Sequence, residues 1–295
     1  MSEGKKILIF GLLYIESVLQ IKGDKADVLP RICSYCDINM LISGDGIYMA
    51  KALSCLGDKV DLVSFIGDDF AGKLIRNYLH ENNINDNYIS NTLERTLLSV
   101  VKKSGNDVLE QFIDFKELKD IDISLYTKAI QECNIAILDS KFYSERLIRE
   151  LYEFNKFIAL KVDSSEVNNE FVKYADILFV DRCKEESVDR LIKNVQGDNS
   201  LVIFNYWDKG CMLYLKEGSQ LEWFPIVKTR KVLNKVGANE ALLAAFVNCY
   251  CNGETPHKAM EKAMAFSSYK VGAQKNLDGF ISKNQLDKLH HFLYN

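Results

Sequence analysis

At 295 residues, with 47% apolar and 26% charged side chains, the chain has the make-up of a globular protein able to bury one large α/β core or two smaller ones. A formal net charge of −4 argues against nucleic acid as the main partner. No apolar run reaches membrane-spanning length, and Met-Ser-Glu-Gly-Lys-Lys precedes a short strand and not a signal peptide, so a cytoplasmic protein is expected.

Lys6-Ile-Leu-Ile-Phe-Gly11 reads as a buried parallel strand. Glu16 follows closely, and ligands of open α/β sheets sit beyond strand C-termini, so Glu16 is a candidate substrate contact. Residues 17–43 break the pattern with alternating apolar positions that predict short strands off the main sheet. In Ser43-Gly-Asp-Gly46 a glycine pair opens a helix that Gly57 closes. Val60 to Ile66 predicts a strand running into Gly67-Asp68-Asp69, and Phe70 to Glu81 an amphipathic helix.

Further strands are expected between Thr96 and Phe115, and helices and strands then alternate. Strands are predicted at Asn134–Asp139, Phe157–Asp163, Ala175–Asp181 and Leu201–Phe204, with helices at Tyr126–Gln131, Ser144–Phe154 and Glu185–Asn194. A hairpin (Lys209–Leu215, Leu221–Val227) leads to Val232-Leu-Asn-Lys-Val-Gly-Ala-Asn-Glu240, and helices follow over Ala241–Cys251 and His257–Lys270. Repeated βα units predict a mostly parallel sheet with helices on both faces, and the inserts near 17–43 and 96–115 a small β flap on it.

The stretch through Gly237 is a chain turning through glycine into a helix start. Unpaired first-turn N–H groups and the helix dipole make such a start an anion site. A first-turn carboxylate beside it, Glu240, suits a general base for a hydroxyl attacking a phosphate.

With these parts in order, the chain resembles the ribokinase-like (PfkB) sugar kinases. Gly44, Gly46, Ala50, Gly57, Gly67, Asp68, Asp69 and Gly72 match, without a gap, the family's glycine-rich helix start and its Gly-Asp-Asp-x-x-Gly. Asn234 to Ala241 overlies the family's Asp-Thr-x-Gly-Ala-Gly-Asp-Ala, and Gly272-Ala-Gln274 its closing Gly-Ala-Gln. The resemblance implies a ribokinase-like three-layer α/β sandwich with a β lid, one kinase domain over 1–295, and transfer of the ATP γ-phosphate to a hydroxyl of a small sugar or nucleoside. It makes Glu240 the base, with Gly237, Ala238 and Asn239 as backbone donors to the phosphate. Glu16, Gly44, Asp45 and Tyr48 fall on the substrate side. Asp181, Glu185, Asn205, Trp207 and Lys235 fall on the nucleotide side, with Asp181 and Glu185 acting through Mg²⁺. A homodimer through the lid is a further implication.

Every catalytic motif is altered, and none is erased. The family's catalytic Asp is Glu240, the last glycine of its anion hole Asn239, its strand-1 Asp Glu16 and its sugar-contacting Asn Tyr48. Its Asn-x-x-Glu falls on Asp181-Arg-Cys-Lys184, and its Thr-x-Gly on Asn205-Tyr-Trp207. A nucleoside such as pseudouridine stacking on Tyr48 or Trp207, and a descendant that binds without turnover, are the alternatives to a sugar kinase. Cys33 and Cys36 form a Cys-x-x-Cys without partner ligands at zinc spacing, so reduced thiols are expected and a metal or redox role is the third alternative.

Overall fold

The first predicted strand has no polar face along its apolar run. Ile7 and Ile9 pack into one hydrophobic cluster, while Leu8 and Phe10 pack into another on the opposite side. A strand buried on both faces needs helices above and below it. The computed structural model describes residues 4–21, 36–82, 84–104, 107–114, 122–139, 141–142, 144–167, 170–183, 192 and 201–294. Its strands are β1 (Lys6–Phe10), β2 (Tyr14–Ile21), β3 (Cys36–Ser43), β4 (Lys59–Gly67), β5 (Ile89–Leu93), β6 (Leu98–Ser104) and β7 (Asp107–Ile113). Then come β8 (Ile135–Asp139), β9 (Phe157–Asp163), β10 (Ile177–Asp181), β11 (Leu201–Asn205), β12 (Gly210–Leu215) and β13 (Gln220–Pro225). The helices are α1 (Asp45–Cys55), α2 (Phe70–Glu81), α3 (Thr127–Glu132), α4 (Glu145–Glu153), α5 (Ala238–Cys251), α6 (Pro256–Lys270) and α7 (Lys283–Tyr294).

Nine strands form one sheet in the order β13-β12-β11-β10-β9-β8-β1-β4-β5, parallel from β5 through β11 and antiparallel between β11 and β12 and between β12 and β13. Helices α1, α2 and α5 to α7 contribute to the cluster on the Ile7 face, and α3 and α4 to that on the Leu8 face. The expected three layers are present. Strands β3-β2-β6-β7 make a separate four-stranded sheet from the two inserts.

Asp69 ties the two sheets together. It caps α2 by accepting from Gly72 N (2.8 Å) and also binds Thr96 N (2.8 Å) and Thr96 Oγ1 (2.6 Å), just ahead of β6. The Gly-Asp-Asp turn therefore holds the root of the smaller sheet.

Three expectations need correction. Strand β2 begins at Tyr14, so Glu16 lies within the four-stranded sheet and not in a loop beyond β1. Helix α5 begins at Ala238 instead of Ala241, because Gly237 takes the left-handed conformation that lets the chain turn straight into the helix. Strand β5 and helix α7 have no counterpart in the sequence reading; β5, Ile-Ser-Asn-Thr-Leu, is too polar for a periodicity argument. The helix expected over 185–194, including Glu185, lies outside the described residues apart from Ile192, as does Cys33. Cys55, Cys133, Cys183, Cys211, Cys249 and Cys251 are free thiols. Among the described residues, no helix is long and apolar enough to cross a membrane.

Candidate active site

Gly237 caps the start of α5 with φ 79° and ψ 7°, and a Cβ built there would come within 3.0 Å of Tyr48 Cγ. Glycine is needed twice over, for the backbone angle and for the close approach. Asn234 stiffens the approach to the turn: its Oδ1 accepts from Val236 N (3.0 Å), and its Nδ2 donates to Asn276 Oδ1 (2.8 Å) and to the Gln274 carbonyl (3.0 Å). From α6, Ser267 Oγ donates to the Ala238 carbonyl at 2.8 Å. The N–H of Ala238 is engaged inside the turn, donating to the Lys235 carbonyl at 3.2 Å, so it is not one of the free donors expected from the sequence.

Glu240, one turn later, is 7% exposed and receives a hydrogen bond from Lys161 Nζ at 2.5 Å. Lys161 Nζ also lies 3.1 Å from Asp45 Oδ2 and 3.6 Å from Asp139 Oδ2. The topology explains the meeting. Asp139 and Lys161 are register partners at the C-terminal ends of β8 and β9, and α1 and α5 start above that end with Asp45 and Glu240 in their first turns. One ammonium thus faces three carboxyls. Burial pushes Asp139 up to about 8, and the neighbouring Asp45 charge pushes it the same way against Lys161. Burial also raises Asp45, but Lys161 and a hydrogen bond with Asp139 outweigh it and hold Asp45 below the usual carboxylate range. The two aspartates therefore share one proton near neutrality. Burial raises Glu240 despite Lys161, and burial acting on Lys161 is overcome by its three carboxyl neighbours, which hold it well above the ordinary lysine value.

The opposite side of Glu240 faces a cavity of about 750 Å³, whose walls include Asn205, Trp207, Lys235, Gly237, Ala238 and Asn239. Lys228, Arg230 and Lys231 add basic groups to its lining. Behind two of these wall residues, Asp181, the last residue of β10, accepts from Asn205 Nδ2 at 2.9 Å and from Asn239 Nδ2 at 3.2 and 3.1 Å. Asn239, placed where a glycine was expected, thus joins the turn to the end of β10 through its side chain. Trp207 takes a left-handed φ of 58°, donates its N–H to Asn205 Oδ1 (3.1 Å) and carries the Arg182 guanidinium 5.6 Å from its ring centre. Trp207 lines the cavity and is 55% exposed.

Glu16 is 3% exposed and accepts from Asn276 Nδ2 at 3.2 Å; burial raises its carboxyl above the ordinary value. Gly44, φ 123°, opens α1 where a Cβ would strike the Leu12 carbonyl. Tyr48 is 2% exposed, with its hydroxyl 2.7 Å from Ser43 Oγ and its ring against Gly237. It supports the turn from behind, which removes the argument for a base stacked on Tyr48. Sequence reasoning missed Lys161, Asp139 and Asn276. A lysine inside the apolar run Phe-Ile-Ala-Leu-Lys-Val was the available signal, since a charge in a doubly covered strand needs partners; Asn276, in a loop, gave none.

Residues 37–278 carry the signature of a pfkB family carbohydrate kinase. The chain belongs to that family. It is 25% identical over 247 residues to a nucleoside kinase of Methanocaldococcus jannaschii, across 77% of this chain and 79% of the relative. Among solved structures it superposes on a microbiome-derived acarbose kinase with a TM-score of 0.83 at 16% identity, covering 98% of this chain and 100% of that one. A ribokinase of Arabidopsis thaliana, solved with ribose and ATP, gives a TM-score of 0.78 at 17% identity over 97% and 99%. These likenesses establish the ribokinase fold. As a pfkB family member, the chain is a kinase of the type that phosphorylates sugars or nucleosides with ATP.

Proposed function

We propose that this pfkB family kinase keeps a working catalytic centre in spite of its altered motifs, with Glu240 as the base on the acceptor hydroxyl. The observation that carries this reading is the position of Glu240. It sits in the first turn of α5, on the cavity wall, with its carboxylate steered by Lys161 at 2.5 Å. A carboxylate raised by burial is a better proton acceptor than an exposed one. The turn at Gly237 and Asn239 offers backbone donors and the positive end of α5 to the transferring phosphate, which stabilises charge as it develops.

The acceptor sits on the carboxyl side, among Asp45, Asp139 and Glu16. This cluster of carboxyls suits a polyhydroxylated sugar, whose hydroxyls can donate to a carboxylate or accept from Lys161. A nucleoside is the second reading, favoured by the relative that is a nucleoside kinase. ATP occupies the cavity lined by Trp207 and Lys235. Asp181 fits Mg²⁺: its described partners are the amides of Asn205, Asn239 and the Arg182 N–H, which leave its charge uncompensated, and magnesium is commonly held by one carboxylate plus phosphates and waters. Mg²⁺ there would neutralise the phosphates of the nucleotide.

The four-stranded sheet acts as a lid, and its outer face supports pairing with a second copy, since Ile38 is 66%, Met40 59% and Phe112 65% exposed. A chain with this composition works in the cytoplasm. The deciding experiment is ADP release by the purified protein with ATP·Mg²⁺ against sugar and nucleoside panels, repeated with Glu240→Gln. No turnover on any acceptor overturns the catalytic reading. Light scattering of the protein and of a Met40→Glu/Phe112→Glu variant tests the dimer.

A further inference from the structure

Lys270, the last residue of α6, is completely buried, and among the described residues its ammonium meets no hydrogen-bond acceptor. Its Cε lies 3.4 Å from the point where a Cβ on Gly237 would stand, on the same side of the turn as the Tyr48 ring. The ammonium sits 5.5 Å from the centre of the Phe280 ring, a weak partner for a desolvated cation. Burial brings Lys270 down to about 8, with Asp278 and Glu240 acting against that fall and Arg230 adding to it.

In the free protein this arrangement is electrostatically unfavourable. An ammonium unpaired by hydrogen bonds stands behind a helix N-terminus, so two positive poles are stacked with only the through-space fields of Asp278 and Glu240 against them. A methionine would fill the same volume without that penalty. The arrangement becomes favourable once an anion occupies the turn.

We propose that Lys270 is a built-in counter-charge for the phosphate held at the Gly237 turn, acting through the turn from behind as a positioning residue. The inference rests on the kinase reading above. It makes phosphate occupancy and the charge of Lys270 mutually dependent: the phosphate raises the proton affinity of the lysine, and the charged lysine tightens the phosphate. Glu240, Asp278 and Arg230 are the charged groups facing it, and the Tyr48 hydroxyl is held on Ser43.

The test is calorimetry of ATP·Mg²⁺ binding to the full chain in two buffers of different protonation enthalpy. At about pH 8.5, where free Lys270 is largely neutral, the wild type is expected to take up a proton on binding; at about pH 6.5, where it is already charged, this uptake vanishes. Lys270→Met is expected to bind roughly tenfold more weakly with no linked proton. Lys270→Arg, charged at both pH values, is expected to bind tightly with no linkage. Should Lys270→Met fail to fold, the wild-type comparison between the two pH values decides alone. Binding by the wild type with no pH-dependent uptake, or equal uptake in Lys270→Met, overturns the proposal and leaves the kinase reading standing. Absence of ATP binding by the wild type overturns both.

Discussion

Lys161 at the end of β9 and Glu240 in the first turn of α5 form a buried ion pair of 2.5 Å. It joins residues that are 79 positions apart in the chain. The pair fixes where the Glu240 carboxylate stands, and with it the boundary between the cavity and the carboxyl cluster.

The first consequence concerns the base. Glu240→Gln removes proton acceptance while keeping shape, and kcat is expected to fall by about 10²- to 10⁴-fold with ATP·Mg²⁺ affinity little changed. Glu240→Asp restores the residue of the family pattern, yet it draws the carboxylate back from Lys161. A displacement near 1 Å is expected to lower the rate by about 10²-fold. Steady-state kinetics on both variants checks this, and an Asp variant faster than the wild type would show that Lys161 does not set the geometry.

The ammonium of Lys161 forms ion pairs with Asp45, Asp139 and Glu240, and Lys141 adds a second favourable charge to Asp45. Lys161→Met leaves Glu240 buried, and Asp45 partly buried, without their shared ion-pair partner, which is expected to destabilise the fold by about 3–5 kcal/mol. In the wild type the folded value of Lys161 lies above its unfolded value, so its contribution is fully present below about pH 10 and is lost only above it. In the variant the penalty shrinks as the pH is lowered and the carboxyls take up protons. Thermal unfolding at pH 5 and pH 8 separates the two; an equal loss at both contradicts the account.

Asp139 gives a signature of the same sign in a lower pH window. Its folded value of about 8 exceeds the ordinary 3.8, so between these values the folded chain holds a proton that the unfolded chain has released. Stability therefore declines as the pH rises through that window. Asp139→Asn, which keeps a donor toward Asp45, is expected to flatten this slope and to be the more stable protein above pH 8. Urea unfolding from pH 5 to 9 measures it.

Gly237 has neither the conformational nor the spatial room for a side chain. Gly237→Ala places a Cβ at φ 79° and 3.0 Å from Tyr48, and the left-handed angle alone costs about 1–2 kcal/mol. Lower thermal stability and a higher KM for ATP are expected. Adding Tyr48→Leu should relieve only the steric part, and full recovery would mean that the backbone angle is unimportant.

Much of this was legible in the sequence. The doubly buried strands, the helix over Phe70–Glu81 and the glycine turn before Glu240 are local matters, fixed by apolar periodicity and by the φ that glycine permits. The family motifs placed Asp181 and Asn205 on the nucleotide side and Asn239 at the phosphate turn, but not the side-chain bonds by which the structure joins the three.

The tertiary structure alone decided the partners. Nothing local says that Lys161, Asp139 and Asp45 converge on Glu240, because the register of β8 with β9 and the docking of α1 and α5 above them are long-range events. Nor does sequence tell whether Tyr48 lines a pocket or supports a turn; its burial against Gly237 follows from how α1 packs on α5. Periodicity records which face of an element leaves water. Which charges meet there, and so which proton is held at which pH, depends on desolvation and distance, and those exist only in the folded chain.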